Sequence, residues 1–231
     1  MLTAKKKISV REPIQESTFS TKWFEFQNFV RDNSKIISWI SIGAIAVVVF
    51  GYIYFTNKKS ENIQASVELA KVLPLYEQQQ YKLAIEGDPA TRTPGLKNVV
   101  SSFSGTNSAD IANLYLGNCY LYTGQYDNAI VAYESSNPDG DILKSGVLAG
   151  LGAAYEAKKD YKKAAEYFEK AALKFRDDQI SSDRLVQAGR NYSLSGDKAK
   201  AKELYEIVKN EYKSPRYSRE MDRLIAELGI E

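Results

Sequence analysis

Apolar residues run without a break from Ile36 to Phe55 (IISWISIGAIAVVVFGYIYF), twenty positions holding no charge and interrupted only by Ser38 and Ser41. A helix rising about 1.5 Å per residue covers roughly 30 Å over that length, the thickness of a bilayer's hydrocarbon core. Lys35 stands before the run and Lys58 with Lys59 after it, while Trp39 near one end and Tyr52 and Tyr54 near the other sit where interfacial aromatics belong. The pattern predicts a transmembrane helix over 36–55, since a buried core helix carries a shorter run cut by a polar stripe. A cleaved leader fits poorly, because Thr56-Asn57-Lys58-Lys59 offers no small-residue site and no cysteine lies near for lipoprotein processing. Residues 1–35 form a basic, aromatic tail in which Phe19, Trp23, Phe26 and Val30 recur at helical spacing with Phe29 alongside. Such a face lies on a membrane surface, docks a partner, or belongs to a short helix steadied by the nearby bilayer.

From residue 60 to 231 the apolar spacing is helical, and the chain resembles itself. Segments 112–136, 149–173 and 186–210 align: Gly117, Gly152 and Gly189 correspond, as do Tyr120, Tyr155 and Tyr192, then Ala129, Ala164 and Ala201, then Tyr133, Phe168 and Tyr205. Small residues let two antiparallel helices approach closely, and the aromatics fill the space between them. Turns fall at Gly124-Gln125, Lys158-Lys159-Asp160 and Gly196-Asp197. Short links between helices of about a dozen residues make antiparallel hairpins, and stacked hairpins make a solenoid. Repeats are therefore expected at about 110–140, 145–178 and 182–213. Upstream, a helix over 61–83 and a second around Leu96, Val99, Val100 and Phe103 predict a degenerate hairpin over 61–104, with GDPATRTPG as its irregular loop. Downstream, Tyr217, Met221, Leu224, Ile225 and Leu228 predict a capping helix over 215–228. The expected fold is all-α, one N-terminal transmembrane helix followed by an α-solenoid.

Composition narrows the chemistry. The 231 residues contain no histidine, which removes Ser–His–Asp and Cys–His catalysis and HExxH zinc sites. A single cysteine, Cys119, excludes an internal disulfide and a CxxC motif, and its place in a packing helix reads as a small buried hydrophobe. No phosphate-binding glycine loop is present; Gly146, Gly150 and Gly152 sit inside a helical pattern. Asp177-Asp178, Glu166 with Glu169, and Lys198, Lys200 and Lys202 read as solvated helix faces. The chain is expected to be no enzyme, to hold no cofactor or metal, and to take no small-molecule substrate. A net charge of +2 carries no nucleic-acid signature. That charge is uneven, +5 over residues 1–59 and −3 over 60–231. Seven basic residues precede the span and resist translocation, placing the N-terminus in the cytoplasm and the large domain outside.

The second repeat, with Leu151, Gly152, Tyr155, Tyr161, Ala164, Phe168 and Ala171, resembles the tetratricopeptide repeat (TPR) pattern, and Pro215 closes the third copy where that family often carries proline. The first copy departs with Ser136, the third with Ala188 and Val208. The order of parts, together with Val30-Arg31-Asp32-Asn33-Ser34-Lys35 running into the span, is similar to the YfgM-like inner-membrane TPR family over roughly residues 25–225. The resemblance implies an ancillary subunit of the SecYEG translocon, working beside a PpiD-like chaperone on exported clients. It places a single-pass protein in the bacterial inner membrane with its repeats in the periplasm. The other function weighed is that of a structural accessory subunit of another membrane complex, held by span and tail.

Stacked hairpins expose the first helix of each repeat on the concave side. Repeat alignment puts Leu114, Asn118, Leu121 and Tyr122 there in the first repeat, Ala149, Ala153 and Glu156 in the second, and Val186, Arg190 and Leu194 in the third. The set is apolar with sparse charge and lacks the clustered Lys and Asn that clamp a terminal carboxylate. Either these residues form a protein-binding groove, or several of them pack between neighbouring repeats.

Overall fold

The computed structural model describes residues 18–175, 177–212 and 215–229, and their side chains apart from those of 18–20, 178 and 215–217. Lys5, Lys6, Lys7 and Arg11 lie outside the described residues, as do the side chains of Phe19 and Tyr217. The chain divides between Thr56 and Asn57 into two units.

The first unit holds α1 (Thr18–Asp32) and the opening part of α2 (Ser34–Glu77). Asn33 joins them almost without a break: its N–H and side-chain amide both donate to Phe29 O, at 3.0 and 2.9 Å, and its carbonyl accepts from Ile37 N at 2.9 Å. In α1, Trp23, Phe24, Phe26 and Phe29 are exposed and Val30 is half-buried, with Trp23 stacked on Phe26. α2 is long and apolar enough to cross a membrane, and none of its most apolar eighteen-residue window is buried. Ser38 and Thr56, at the edges of that run, satisfy their hydroxyls on the carbonyls of Ser34 and Tyr52 one turn back, as an apolar surrounding demands. Lys35, Trp39, Tyr52, Tyr54 and Lys59 are exposed, and Lys58 is half-buried.

α2 is one helix of 44 residues rather than a span followed by a separate helix, because Thr56 to Ser60 contains neither glycine nor proline to end it. Its portion in the second unit buries Ala65, Leu69 and Val72. That unit continues with α3 (Tyr81–Glu86), a two-residue ladder of β1 (Gly87–Asp88) against β2 (Thr93–Pro94), and α4 (Leu96–Ser102). Three helix pairs follow: α5 (Asn107–Tyr122) with α6 (Tyr126–Glu134), α7 (Asp141–Ala157) with α8 (Tyr161–Lys174), and α9 (Asp178–Leu194) with α10 (Lys198–Glu211). α11 (Pro215–Glu227) ends the described chain. The architecture is an all-α solenoid of helical hairpins.

One turn geometry repeats four times. Gly124, Lys159 and Gly196 adopt left-handed φ of 76°, 64° and 92°, and the next residue's N–H reaches back to Tyr120, Tyr155 or Tyr192 O at 2.8 to 2.9 Å. This is the six-to-one bond that closes a helix at a left-handed residue and reverses the chain. Gln79 (φ 59°) does the same between α2 and α3, with Gln80 N donating to Leu75 O at 2.9 Å. The first hairpin therefore turns at 78–80, not at GDPATRTPG. That sequence instead splits the hairpin's second helix into α3 and α4 and carries the short ladder.

Packing follows the small and large positions. A Cβ on Gly117 would lie 2.5 Å from the Tyr133 ring, on Gly152 2.9 Å from Phe168, and on Gly189 2.4 Å from Tyr205, so each hairpin closes with an aromatic of its second helix on a glycine of its first. Tyr133 touches the next repeat too, where a Cβ on Gly150 would lie 2.4 Å away. Met221, Leu224 and Leu228 are buried against the cluster containing Leu204, Tyr205 and Val208, and Lys209 binds Asp222 at 2.5 Å, which caps the array.

Candidate functional site

The first helices of the three hairpins, α5, α7 and α9, border a groove of about 540 Å³. Its floor is made by Gly146, Ala149, Gly150 and Ala153, which share one face of α7 at spacings of three and four. Nothing lies nearer than 4.0 Å to a Cβ built on Gly146, so the face is open there, whereas at Gly150 it is covered by the Tyr133 ring. Leu114, Asn118, Leu121 and Tyr122 supply the α5 wall, Glu156 one end, and Arg184, Gln187, Arg190 and Asn191 the α9 wall.

Of the residues expected there from sequence, Leu114, Asn118, Leu121, Tyr122, Ala149, Ala153, Glu156 and Arg190 are brought together. Val186 and Leu194 are not. Val186 is buried in the core cluster of the second and third repeats and borders an adjoining hollow, while Leu194, 59% exposed, ends α9 beyond the groove lining. Sequence reasoning missed Gly146, Gly150, Arg184, Gln187 and Asn191. The glycines carried a readable signal, lying on the same helical face as Ala149 and Ala153.

A tyrosine network supports the α5 wall. Tyr133 donates to Asn118 Oδ1 at 2.6 Å, and Asn118 Nδ2 donates to Tyr76 Oη at 3.3 Å, fixing the amide that faces the groove. Tyr76 packs edge-on against Tyr115 and Tyr81, and Tyr81 stacks on the exposed Tyr122 at 4.9 Å between centroids. On the opposite wall Arg190 binds Glu220 of α11 at 2.9 Å. Burial pushes the Tyr76 and Tyr205 hydroxyls and the Cys119 thiol up to about 12, and the Tyr133 hydroxyl upward as well. Cys119 is thus a sealed thiol rather than a nucleophile. Two of the carboxylates are tied up in structure: Asp177 caps α9 through Gln179 N and Ile180 N, and Glu169 accepts from Tyr192 Oη and binds Lys200.

The raised tyrosines fix a pH dependence. The folded chain keeps these hydroxyls protonated where the unfolded chain ionises near pH 10, so their contribution is complete below pH 10 and fades as pH rises toward 12. Urea midpoints should fall between pH 9 and pH 11, and Tyr76→Phe with Tyr205→Phe should flatten that fall. An unchanged slope in the double variant would show that other groups control it.

Residues 112–135, 146–173 and 185–214 each match the family described as Tetratricopeptide repeat. The chain carries TPR repeats. The matched segments hold the three glycine–aromatic closures, Gly117 with Tyr133, Gly152 with Phe168 and Gly189 with Tyr205, so the family's pattern and the packing coincide. No curated protein matches the chain. TPR arrays are protein–protein interaction scaffolds, and a groove walled by the first helices of successive repeats is the surface such a scaffold offers.

Proposed function

We propose that the chain is a membrane-anchored, non-enzymatic TPR scaffold. It holds proteins on the envelope side of the bacterial inner membrane, with its tail in the cytoplasm and its repeats in the periplasm. In this reading it is an ancillary subunit of the SecYEG translocon, passing exported clients to or from a PpiD-like chaperone. The observation that carries the proposal is the pairing, on one chain, of an apolar helical run with no buried residue in its most apolar eighteen-residue window and a three-repeat array whose first helices border a groove. The seven basic residues ahead of the span support the orientation. The groove set of Leu114, Asn118, Leu121, Tyr122, Glu156 and Arg190 is assigned to partner binding.

The second reading, an accessory subunit of another membrane complex, draws on the exposed aromatics of α1, a surface suited to a fixed neighbour. Photocrosslinking from intact cells separates them. With probes at Ile45 in the apolar run and at Tyr122 and Glu156 in the groove, the first reading expects translocon adducts from Ile45 and chaperone or client adducts from the groove. Tyr122→Ala combined with Arg190→Ala should weaken the groove adducts while helicity is kept. One stoichiometric partner captured from Ile45 and α1, with nothing from the groove, would replace the first reading by the second.

A further inference from the structure

Two buried polar atoms in the groove wall have no hydrogen-bond partner among the described residues, Arg184 Nε and Asn191 Oδ1. Both break the repeat pattern. Five residues before the repeat glycine, the first two repeats place Ala112 and Val147 where the third has Arg184; two residues after it they place Cys119 and Ala154 where the third has Asn191. Those four are buried and apolar, so packing alone asks for neither a guanidinium nor an amide at these sites. Asn191 is 1% exposed, and its Nδ2 is held by Gln187 O at 3.0 Å, which leaves Oδ1 as the idle acceptor. Arg184 reaches Gln187 Oε1 at 3.5 Å, at the limit of a hydrogen bond, and burial holds its guanidinium below the ordinary arginine range. Arg190, six residues further along α9, is by contrast committed to Glu220.

A desolvated cation and an unsatisfied acceptor are costly unless something else completes them. Asp183 beside Arg184 offsets part of the half-buried guanidinium's charge, yet Nε keeps no acceptor and Asn191 Oδ1 no donor. An extended polypeptide bearing an acidic residue supplies a carboxylate for the first and an N–H for the second. The groove does not end at Arg184. An adjoining hollow of about 330 Å³ shares Arg184, Gln187 and Arg190 with it and continues past Val186 to Glu220. A bound chain therefore passes Arg184 rather than terminating there, which points to a side-chain carboxylate rather than a chain end.

Resting on the groove reading above, we propose that the third repeat is a receptor for acidic, extended peptide segments: Arg184 takes an Asp or Glu carboxylate, and Asn191 Oδ1 accepts a backbone N–H. The floor, open at Gly146, leaves room for the peptide's main chain.

The test uses the full chain in mild detergent, immobilised and offered degenerate eight-residue peptide libraries. One library is amidated with Glu fixed at position five, a second is amidated with Gln there, and a third has Gln there with a free C-terminal carboxylate. Retention of the Glu library should exceed that of the amidated Gln library about tenfold, the size of one hydrogen bond to a charged group. Arg184→Gln should bring the ratio to about one. Asn191→Leu, which restores an apolar residue at the repeat's packing position, should lower retention of both amidated libraries. Arg223→Gln, which removes a cation on α11 outside the groove, should leave the ratio unchanged. Equal retention of the two amidated libraries overturns the acid receptor and leaves the groove as a peptide site. Preference for the free-carboxylate library overturns the side-chain assignment. Failure to retain any library overturns the groove reading itself.

Discussion

Tyr133→Ala should destabilise the repeat array by about 3–5 kcal/mol, the range for deleting a fully buried aromatic side chain. The ring is 0% exposed and lies against the backbone of α5 at Gly117 and of α7 at Gly150, so it belongs to two hairpins at once. Its hydroxyl completes a chain of hydrogen bonds through Asn118 to Tyr76, reaching a third. Alanine would open a cavity at the junction and leave Asn118 Oδ1 without its donor, and the second loss adds to the first. Stability in a solenoid is a sum over repeats and nearest-neighbour interfaces, so weakening one interface also lowers cooperativity. Urea unfolding followed by circular dichroism should show an earlier and broader transition. Tyr133→Phe, which keeps the ring, should cost about 1–2 kcal/mol and stay cooperative. A cost below about 1 kcal/mol for alanine would mean that the junction repacks and that Tyr133 does not couple the hairpins.

The hairpins were legible because their signals are local and recur: a glycine under an aromatic, a turn residue able to adopt positive φ, a buried alanine at a fixed offset. The first hairpin hid its turn because Gln79 takes the left-handed conformation without being glycine or asparagine and, unlike Lys159, lies outside the aligned repeat copies that mark a turn by position. Of its second helix, Leu96, Val99, Val100 and Phe103 mark α4, whereas α3, six residues long, holds too few positions for a 3.6-residue period and merges with the helix expected over 61–83. GDPATRTPG was correctly marked as irregular, yet its glycines and prolines say only that a helix is interrupted there, not that the chain returns to resume it.

The groove was legible where alignment and helical period agree, and less so on α9. Val186 occupies the same repeat position as Leu114 and Ala149 and, like Ala149, is buried in the cluster that joins the second and third repeats, yet it borders the adjoining hollow rather than the groove, a matter of tertiary packing. Leu194 sits one turn past the last lining residue, so alignment extended the face too far. Arg184 and Asn191 were overlooked for the opposite reason. A polar residue at a packing position looks like an exposed one in a single sequence, and only coordinates show that each of these two leaves one buried atom, Nε and Oδ1, without a partner.

Gly95→Ala should cost about 3 kcal/mol or more, at the upper end of what overpacking produces, because its obstacles cannot rotate away. A Cβ at Gly95 would lie 2.3 Å from Glu86 C, 2.4 Å from Ile85 O and 2.5 Å from Gly87 N, all backbone atoms at the end of α3. The start of α4 is pressed directly onto that end after the β1–β2 excursion, so relief requires the two half-helices to separate. Leu96 and Val99, at 1% and 0% exposure, would then be drawn from the cluster they share with Ile85 and Leu116. Gly146→Ala is the matched opposite. Its nearest neighbour is a leucine methyl at 4.0 Å, and alanine is favoured over glycine inside a helix by up to about 1 kcal/mol. Urea midpoints should therefore move in opposite directions for the same chemical change, down at 95 and up at 146. A Gly95→Ala chain as stable as the parent would show that α3 and α4 are not stacked end to end, and the hairpin would then need a different second helix.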